Sequence, residues 1–172
     1  MFDVVSPDVD ESVHAGEEPT SYVERVSADK AAAVRDRLED DRPVLAADTC
    51  VVVDGDILGK PHQPGPAVEM LRRLSDRSHW TTTGVTVASR QGVTSLSVRT
   101  EVVFGKLSDA QIEWYVGTGE PLDKAGAYAI QGRAAAFVER IDGSHSNVVG
   151  LPLAETVSLL AEHGVLLTGR VS

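Results

Sequence analysis

Apolar and polar positions along the chain follow two spacings, one typical of strands and the other of helices. Strand-like runs occupy residues 2–6, 43–53, 56–59, 79–90, 93–104 and 134–141. Helix-like runs occupy residues 19–39, 66–74, 108–117 and 152–163. Strands and helices therefore alternate irregularly, with hairpins among them, and this order predicts an α/β fold with a mixed β-sheet and flanking helices.

The first predicted helix carries a charge in an unexpected place. Pro19 suits the first turn of a helix, and Ser21 with Glu24 matches a capping box. The apolar stripe of the helix consists of Val23, Val26, Val34 and Leu38. Lys30 lies in the middle of this stripe. Two interpretations are open: an ammonium group that reaches water past the core, or one that is aimed into an anion-binding cleft.

The second predicted strand contains an acid inside an apolar run. The stretch LAADTCVVVDGDILGKP, residues 45–61, reads as a strand, a tight turn at Asp54 and Gly55, and a short return strand. An unpaired buried carboxylate is costly, so Asp48 is exposed at a strand end, hydrogen-bonded as a structural group, or functional. Thr49 is a weaker signal, because threonine is common in strands.

Three later segments complete the predicted organisation. Ser108 and Gln111 match a second capping box at the start of a helix. The segment DGSHSNVVG, residues 142–150, is predicted to be a turn, because it lacks the GxSxG pattern of a serine hydrolase. A last helix is predicted to begin at Pro152, with core-facing residues Leu153, Val157, Leu160 and Ala161.

Four charged residues stand in segments where packing does not require them. They are Glu11 in an acidic loop, Lys30, Asp48, and Lys60 just after the hairpin. This set suits a metal-bound polyphosphate, because carboxylates hold Mg²⁺ and can activate water, while ammonium groups neutralise phosphate oxygens. No GxxxxGK[ST] pattern is present, which argues against a P-loop. Gln131, in a glycine-flanked turn, is an ordinary loop residue or an amide that reads a nucleobase edge.

Composition narrows the class of protein. The 172 residues suit one domain, residues 1–172, and 26 acids against 16 Lys and Arg give a formal charge of −10. This charge disfavours nucleic acids and anionic membranes as partners. The chain shows no membrane-span or signal-peptide pattern, so a cytoplasmic location is expected. One cysteine excludes an internal disulfide, and the histidines lack zinc-ligand spacing, so any metal should be bound by oxygen.

Five segments, taken in order, extend over nearly the whole chain. They read PDVDES, YVERVSADKAAAV, LAADTCVVVDGDILGKP, MLRRLSDRSHWTTTGVTV and YVGTGEPLDKAGAYAIQGRAAAFVERIDGSHSNVVGLPL. Together they resemble the Maf family of nucleoside triphosphate pyrophosphatases. The resemblance implies an α/β fold with a cleft. It also implies hydrolysis of a nucleoside triphosphate to the monophosphate and pyrophosphate, with Mg²⁺ or Mn²⁺.

The resemblance also implies roles for the candidate residues. Asp48 would be the general base or a metal-linked activator of water, and Glu11 would help to hold the metal. Lys30 and Lys60 would hold the phosphates. Family members are often dimers, so a homodimer is an expected assembly.

Thr49 and Gln131 match the family positions that set base preference. The AIQG form resembles the branch that acts on dTTP and UTP, whereas the branch that acts on 7-methyl-GTP carries a glutamate there. A neutral amide can pair with a uracil edge. The expected role is therefore removal of surplus or modified pyrimidine nucleotides.

The chain departs from the family pattern at its start. Family members begin with a further strand and an S-x-R-R loop that contacts the triphosphate, whereas Met1 here leads into FDVVSPDVDE. The first strand of the sheet is thus expected to be missing, together with an arginine that suits phosphate oxygens. An upstream start codon, a natural truncation and an inactive relative are the open explanations. We favour the first, because the other site residues are present.

Two other functions stay open at this point. The absent arginine loop motivates a catalytically impaired nucleotide-binding protein with a regulatory role in cell division. A purine-directed pyrophosphatase of the inosine-triphosphate type is similar in architecture. Product formation and relative rates with ITP and UTP would separate them.

Overall fold

The computed structural model describes residues 2–165, and their strands form one five-stranded sheet. The strands are β1 (Val44–Val53), β2 (Asp56–Leu58), β3 (Ser78–Ser89), β4 (Gly92–Phe104) and β5 (Val138–Asp142). The helices are α1 (Pro19–Arg35), α2 (Pro64–Leu74), α3 (Asp109–Gly117), α4 (His145–Val149) and α5 (Leu153–Glu162), with 3₁₀ turns at Glu120–Asp123, Ala125–Ala127 and Arg133–Phe137. The helices formed by residues 2–165 are too short or too polar to span a bilayer.

The sheet has the strand order β2-β1-β3-β4-β5. The predicted α/β fold with flanking helices is confirmed, and its pairing is more uniform than the expected mixed sheet, since every strand pair among residues 2–165 is antiparallel. Strand β3 pairs with β1 from Val44 to Val52, but β2 covers only Val51 to Val53. The opposite edge of β1 before Val51 therefore has no neighbouring strand in the described part of the chain.

Helix α1 covers one face of the sheet. Its Tyr22, Val23 and Val26 pack against Cys50 and Val52 of β1. The helix approaches the sheet very closely at Gly84 of β3, where a Cβ atom would lie 2.3 Å from the carbonyl oxygen of Val23. Only glycine permits this approach, which brings the polar residues of α1 close to β1.

The other face of the sheet carries the main core. Strand residues pack there against helices α2 and α3. The strand residues are Val51, Val53, Val102 and Phe104, and the helix residues are Leu71 and Leu74 of α2 and Ile112 and Tyr115 of α3. Leu159 of α5 packs against Val85 and Val87 on the same face. The sheet is therefore covered by one helix on one side and by the remaining helices on the other.

The start of the chain differs from the sequence prediction. Residues 2–6 form no strand, because Phe2 and Val4 are exposed and no strand of the described chain pairs with them. Helix α1 begins at Pro19, as expected, but its N-cap is Glu18, so Ser21 lies inside the helix and the predicted Ser21–Glu24 capping box is wrong. The helix ends at Arg35 rather than near Glu39, since Arg35 donates to the backbone of the following loop.

Three later predictions also need correction. The predicted strand at 134–141 begins only at Val138, because Ala134 and Phe137 are buried at the three-residue spacing of a 3₁₀ turn. The predicted turn at 142–150 contains helix α4, which Ser144 caps. Helix α5 buries Thr156 and Leu159, whereas Leu153 and Val157 are exposed, so the predicted core-facing stripe is largely wrong.

Predictions from short-range signals were more accurate. The hairpin after β1 is present, with Asp54 and Gly55 as its turn. The long β3–β4 hairpin is also present, although it turns at Arg90 and Gln91, one residue earlier than predicted. Ser108 and Gln111 form the complete capping box at the start of α3. These features depend on a few neighbouring residues, which the sequence shows directly.

Candidate functional site

Asp48 lies in β1 on the face that α1 covers, opposite Gly84 of β3. Its side chain is 9% exposed. The atom Oδ1 accepts a 2.6 Å hydrogen bond from Nζ of Lys30, whereas the buried Oδ2 has no hydrogen-bond partner among the described residues. Burial raises the pKa of the Asp48 carboxyl above its ordinary value, and the Lys30 ammonium offsets only part of that rise. Asp48 is thus a mostly buried carboxylate with one free oxygen.

Lys30 joins Asp48 to the acidic loop. Its Nζ lies 2.6 Å from Oδ1 of Asp48 and 2.7 Å from Oε1 of Glu11. Burial alone would lower the pKa of the Lys30 ammonium, but the hydrogen bonds to the two carboxylates raise it overall. The Lys30 ammonium is therefore held between two carboxylates that line the cleft. An ammonium group has three N–H donors, so one remains for another ligand.

Two side chains of α1 position the loop that carries Glu11. The hydroxyl of Tyr22 donates to the Glu11 carbonyl oxygen at 3.0 Å. Arg25 donates to the carbonyl oxygen of Ser12 at 2.9 Å and pairs with Glu17 at 2.7 Å, which lowers the pKa of the Glu17 carboxyl to about 2. The hydrogen bond from Lys30 likewise lowers the pKa of the Glu11 carboxyl. The loop has no regular structure, but its backbone is bonded to α1 at Glu11 and at Ser12.

Lys60 follows the β1–β2 hairpin at the open side of the cluster. Its Nζ lies 3.5 Å from Oε2 of Glu11, and its side chain is 47% exposed. The preceding carbonyl group, that of Gly59, accepts a 3.1 Å hydrogen bond from the backbone of Gly126. Lys60 is therefore the more accessible of the two lysines, and the chain segment that carries it is attached to a 3₁₀ turn.

The site consists of two adjoining cavities. One has a volume of about 190 Å³, and its wall includes Glu11, Tyr22 and His62. The other has a volume of about 210 Å³, and its wall includes Tyr128 and Gln131. Both cavities are bordered by Asp48, Thr49, Lys60 and Ala125. Because the four residues are shared, we name the cavities the acidic cavity and the amide cavity of one cleft.

Thr49 and Gln131 belong to the amide cavity. Thr49 follows Asp48 and lies on the opposite face of β1, where its Oγ1 is 2.9 Å from Oγ1 of Thr83. Gln131 is exposed at the wall of the cavity. The structure thus brings five of the six predicted residues, Glu11, Asp48, Thr49, Lys60 and Gln131, to the cleft walls. Lys30 lines neither cavity and contacts the cleft through its two carboxylate partners.

The sequence patterns did not indicate several residues that line the amide cavity. Val148, Val149 and Gly150 contribute to it from α4 and its end, the segment that was predicted to be a turn. Lys124 and Asp123 form an ion pair at 2.7 Å and also line this cavity. Tyr128 lies deeper, and its hydroxyl bonds to His79. The serine three residues before Asn147 is a capping signal that could have indicated α4.

The acidic cavity fits a divalent cation only in combination with a substrate. Within residues 2–165, no three His, Cys, Asp or Glu residues cluster as a complete metal site. Asp48 and Glu11 offer carboxylate oxygens, and Oδ2 of Asp48 has no partner within residues 2–165. Mg²⁺ commonly binds through one or two carboxylates together with substrate phosphates. The donor set therefore fits a metal that is shared with a phosphate-bearing ligand.

Comparison with known proteins shows the family to which this chain belongs. The family model described as "Maf-like protein" matches residues 1–163. A protein of Anaeromyxobacter dehalogenans strain 2CP-C is 55% identical over 167 residues, which cover 95% of this chain and 84% of that protein. A protein of Myxococcus xanthus strain DK1622 is 50% identical over 171 residues, covering 99% of this chain and 86% of that protein.

A protein of Hahella chejuensis is 49% identical over 166 residues, which cover 95% of this chain and 83% of that protein. These three relatives carry the name dTTP/UTP pyrophosphatase. The family model spans nearly the whole chain, and each of these relatives aligns with at least 95% of it. The chain therefore belongs to the Maf-like protein family.

Proposed function

We propose that this protein hydrolyses dTTP, UTP and modified pyrimidine nucleoside triphosphates to the monophosphate and pyrophosphate, with a divalent cation such as Mg²⁺ or Mn²⁺. The names of the relatives support the substrate class. The observation that carries the proposal is the free, buried Oδ2 of Asp48 beside two lysines and Glu11 in a cleft. Such a carboxylate next to cationic groups suits the activation of water near phosphates.

Asp48 is the proposed general base. A water molecule transfers its proton to Oδ2 of Asp48 while its oxygen forms a bond to the α-phosphorus. The bond from that phosphorus to the oxygen that bridges to the β-phosphorus breaks, and pyrophosphate leaves. The Oδ2 atom, which has no hydrogen-bond partner among the described residues, is the oxygen that would accept this proton. Its hydrogen bond from Lys30 fixes the orientation of the carboxylate throughout.

The two lysines are the proposed phosphate ligands. Lys60 is exposed at the border of both cavities, so its ammonium can reach a phosphate chain that lies across the cleft. Lys30 is largely occupied by Asp48 and Glu11, but its third N–H remains available to a phosphate oxygen. Their joint positive charge offsets the negative charge that develops on the leaving pyrophosphate.

Asp48 and Glu11 are the residues that would hold the metal. When bound, a divalent cation there would neutralise phosphate oxygens and act as a Lewis acid. The opposite end of the substrate enters the amide cavity, where Thr49 and Gln131 contact the base. The Gln131 amide offers one acceptor and one donor group, which can match the carbonyl and N–H groups of a uracil edge.

Product analysis tests the proposal directly. The protein is incubated with UTP or dTTP and Mg²⁺, and the products are separated and quantified. We expect equimolar UMP or dTMP and pyrophosphate, and no reaction after chelation of the metal. Release of UDP and inorganic phosphate, or no product with any divalent metal, would contradict the proposal.

A matched pair of lysine variants tests the phosphate contact. Replacing Lys60 by Met removes the accessible ammonium of the cleft and should raise KM for UTP by about tenfold or more, because a charge-assisted hydrogen bond is lost. Lys106 is exposed on the surface and lines neither cavity, so Lys106→Met is the control for the loss of one charge. Equal kinetics of the two variants would remove Lys60 from the site.

A further inference from the structure

Base selection needs a group whose hydrogen-bonding direction is fixed. The Gln131 amide is exposed and can rotate to present either its oxygen or its NH₂ group to a base. It can therefore pair with uracil in one orientation and with cytosine in the other. Thr49 is the other polar residue of the amide cavity that was predicted to contact the base, and its hydroxyl can in principle donate or accept.

A chain of two hydrogen bonds restricts the Thr49 hydroxyl. Oγ1 of Thr49 lies 2.9 Å from Oγ1 of Thr83, and Oγ1 of Thr83 lies 3.1 Å from the backbone carbonyl oxygen of Asn147. A carbonyl oxygen accepts only, and each hydroxyl has one proton. Thr83 therefore donates to Asn147. If Thr83 donated to Thr49 instead, its lone pairs would face the carbonyl oxygen at 3.1 Å without a proton between them.

The carbonyl group of Asn147 cannot turn away from Thr83. The side chain of Asn147 is fully buried, and its Nδ2 donates to the carbonyl oxygen of Thr81 at 3.1 Å and to Oγ1 of Thr100 at 3.0 Å. Its backbone N–H donates to Oγ of Ser144, the N-cap of α4. Asn147 is thus attached to β3, to β4 and to the start of its own helix, and its carbonyl group is held against the sheet.

We propose that Thr83, oriented by the carbonyl group of Asn147, makes the Thr49 hydroxyl donate its proton to Thr83. Thr49 can then act only as an acceptor toward the cleft. An acceptor-only Thr49 that meets the base at N3 favours a base whose N3 carries a proton. Uracil and thymine carry this proton, whereas N3 of cytosine is itself an acceptor. Thr83 is therefore a positioning residue for pyrimidine selection. This inference rests on the proposed function and adds the residue that sets the polarity of its base contact.

Two substitutions at position 83 test the inference. Thr83→Val keeps the side-chain shape but removes the hydroxyl, so the Thr49 proton becomes free to turn into the cleft and to bond to N3 of cytosine. We expect the ratio of kcat/KM for UTP to that for CTP to fall about tenfold, the usual effect of one correctly matched hydrogen bond. Thr83→Ser retains a hydroxyl and should keep the wild-type ratio. Thermal unfolding of each variant checks that it is folded.

A double-mutant cycle separates this role from a purely structural one. Thr49→Val removes the acceptor and should itself lower the UTP:CTP ratio. If Thr83 acts only through Thr49, adding Thr83→Val to Thr49→Val changes the ratio no further. Independent, additive losses would overturn the inference, as would an unchanged ratio in a folded Thr83→Val protein.

One measurement does not depend on the folding of the Thr83 variants. In the wild-type protein, UMP should inhibit more strongly than CMP, and this difference should persist in Thr49→Ser but disappear in Thr49→Val. Equal inhibition of the wild-type protein by the two monophosphates would overturn the inference. If UTP yields no UMP and pyrophosphate at all, the proposed function fails instead, and the two failures are thereby distinguished.

Discussion

The two faces of β1 present different chemistry to the same cleft. Asp48 faces α1, where Lys30 and Glu11 join it in a charged cluster. Thr49, the next residue, faces the opposite side, where its partner is the uncharged hydroxyl of Thr83 and the nearby cavity wall contains Gln131. Because successive side chains of a strand point to opposite faces, one step along the chain separates the charged side from the neutral side.

The two sides are also built differently. The charged side depends on distant parts of the chain, since a helix and an irregular loop bring Lys30 and Glu11 to Asp48. The neutral side is named for the hydrogen bonds that link Thr49 to Thr83 of β3 and to the Asn147 carbonyl group of α4, although the Asp123–Lys124 ion pair also lines the amide cavity. Charged groups suit phosphates, and neutral groups suit a base. We therefore expect damage to the charged side to abolish the reaction, and damage to the neutral side to change which substrate reacts.

The largest effect is expected from Asp48→Asn. The substitution keeps the size of the side chain but removes the basic oxygen, so kcat should fall about a thousandfold or more, equivalent to about 4 kcal/mol in the activation free energy. The fold should persist, because an amide is less costly to bury than a carboxylate. Pyrophosphate release from UTP and thermal unfolding measure the two effects.

A surface aspartate provides the control for Asp48→Asn. Asp109 pairs with Arg72 at 2.8 Å on an exposed part of α3, and it lines neither cavity. Asp109→Asn should retain wild-type turnover, since an exposed ion pair contributes little. If Asp48→Asn retains most of its activity as well, Asp48 is not the base.

Sequence patterns predicted the charged side better than the neutral side. Asp48 interrupts an apolar strand and Lys30 interrupts an apolar helix stripe, and both anomalies can be seen without a structure. The bond between them could not be predicted, because separation along the chain does not give a distance in space. Thr83 gave no signal, since threonine is normal in a strand, and Asn147 lay in a segment that was predicted to be a turn.

The same reasoning explains which parts of the fold were predictable. The Ser108 capping box depends on residues within one helical turn, so its local pattern was sufficient. The pattern at residues 2–6 resembled a strand but had no partner strand and no core to pack against. The buried face of α5 depends on Val85 and Val87 of β3, far away in sequence. Features set by distant contacts were the ones that sequence patterns missed.

The next largest effect is expected from Gly84→Ala, which changes the packing of α1 on the sheet and thereby the position of Lys30 on the charged side. The added Cβ atom would meet the backbone carbonyl oxygen of Val23 at 2.3 Å, so α1 must move away from the sheet. We expect a loss of more than about 3 kcal/mol in the free energy of unfolding, because backbone atoms cannot yield as a flexible side chain does. Denaturant unfolding measures this loss.

Gly65→Ala is the matched control for Gly84→Ala. Gly65 lies near the start of α2, and a Cβ atom there has no neighbour within 4 Å. Alanine should be tolerated or slightly stabilising at that position. Equal stability of the two variants would show that α1 does not depend on the close approach at Gly84.

His79 contacts a residue in the wall of the amide cavity, and its contribution to the free energy of unfolding should change as the pH falls. Its Nε2 lies 2.9 Å from the hydroxyl of Tyr128 in the wall of the amide cavity, and burial lowers its pKa to about 4. The unfolded chain binds the proton first as pH falls below about 6.5. Stability from neutral His79 is therefore complete above pH 6.5, and about 3 kcal/mol of it is lost as pH falls to 4.

Two histidine variants separate this contribution from that of the carboxylates. Unfolding free energies of the wild-type protein and of His79→Gln are measured between pH 7 and pH 4, and the difference between them should shrink as pH falls. His14 is exposed in the acidic loop, so His14→Gln should follow the wild-type curve. Parallel curves for the wild-type protein and His79→Gln would contradict the expected titration.

The smallest effect is expected from Gln131→Glu, which places a charge on the neutral side. A carboxylate has no donor for a uracil carbonyl group, but it attracts the positive charge of a 7-methylguanine base. The ratio of kcat/KM for UTP to that for 7-methyl-GTP should fall about tenfold, while hydrolysis still releases pyrophosphate. Gln91→Glu, in the exposed β3–β4 turn, adds the same charge outside the cleft and should leave the ratio as it is. Equal ratios in both variants would mean that Gln131 does not contact the base, and discrimination would then depend on Thr49 alone.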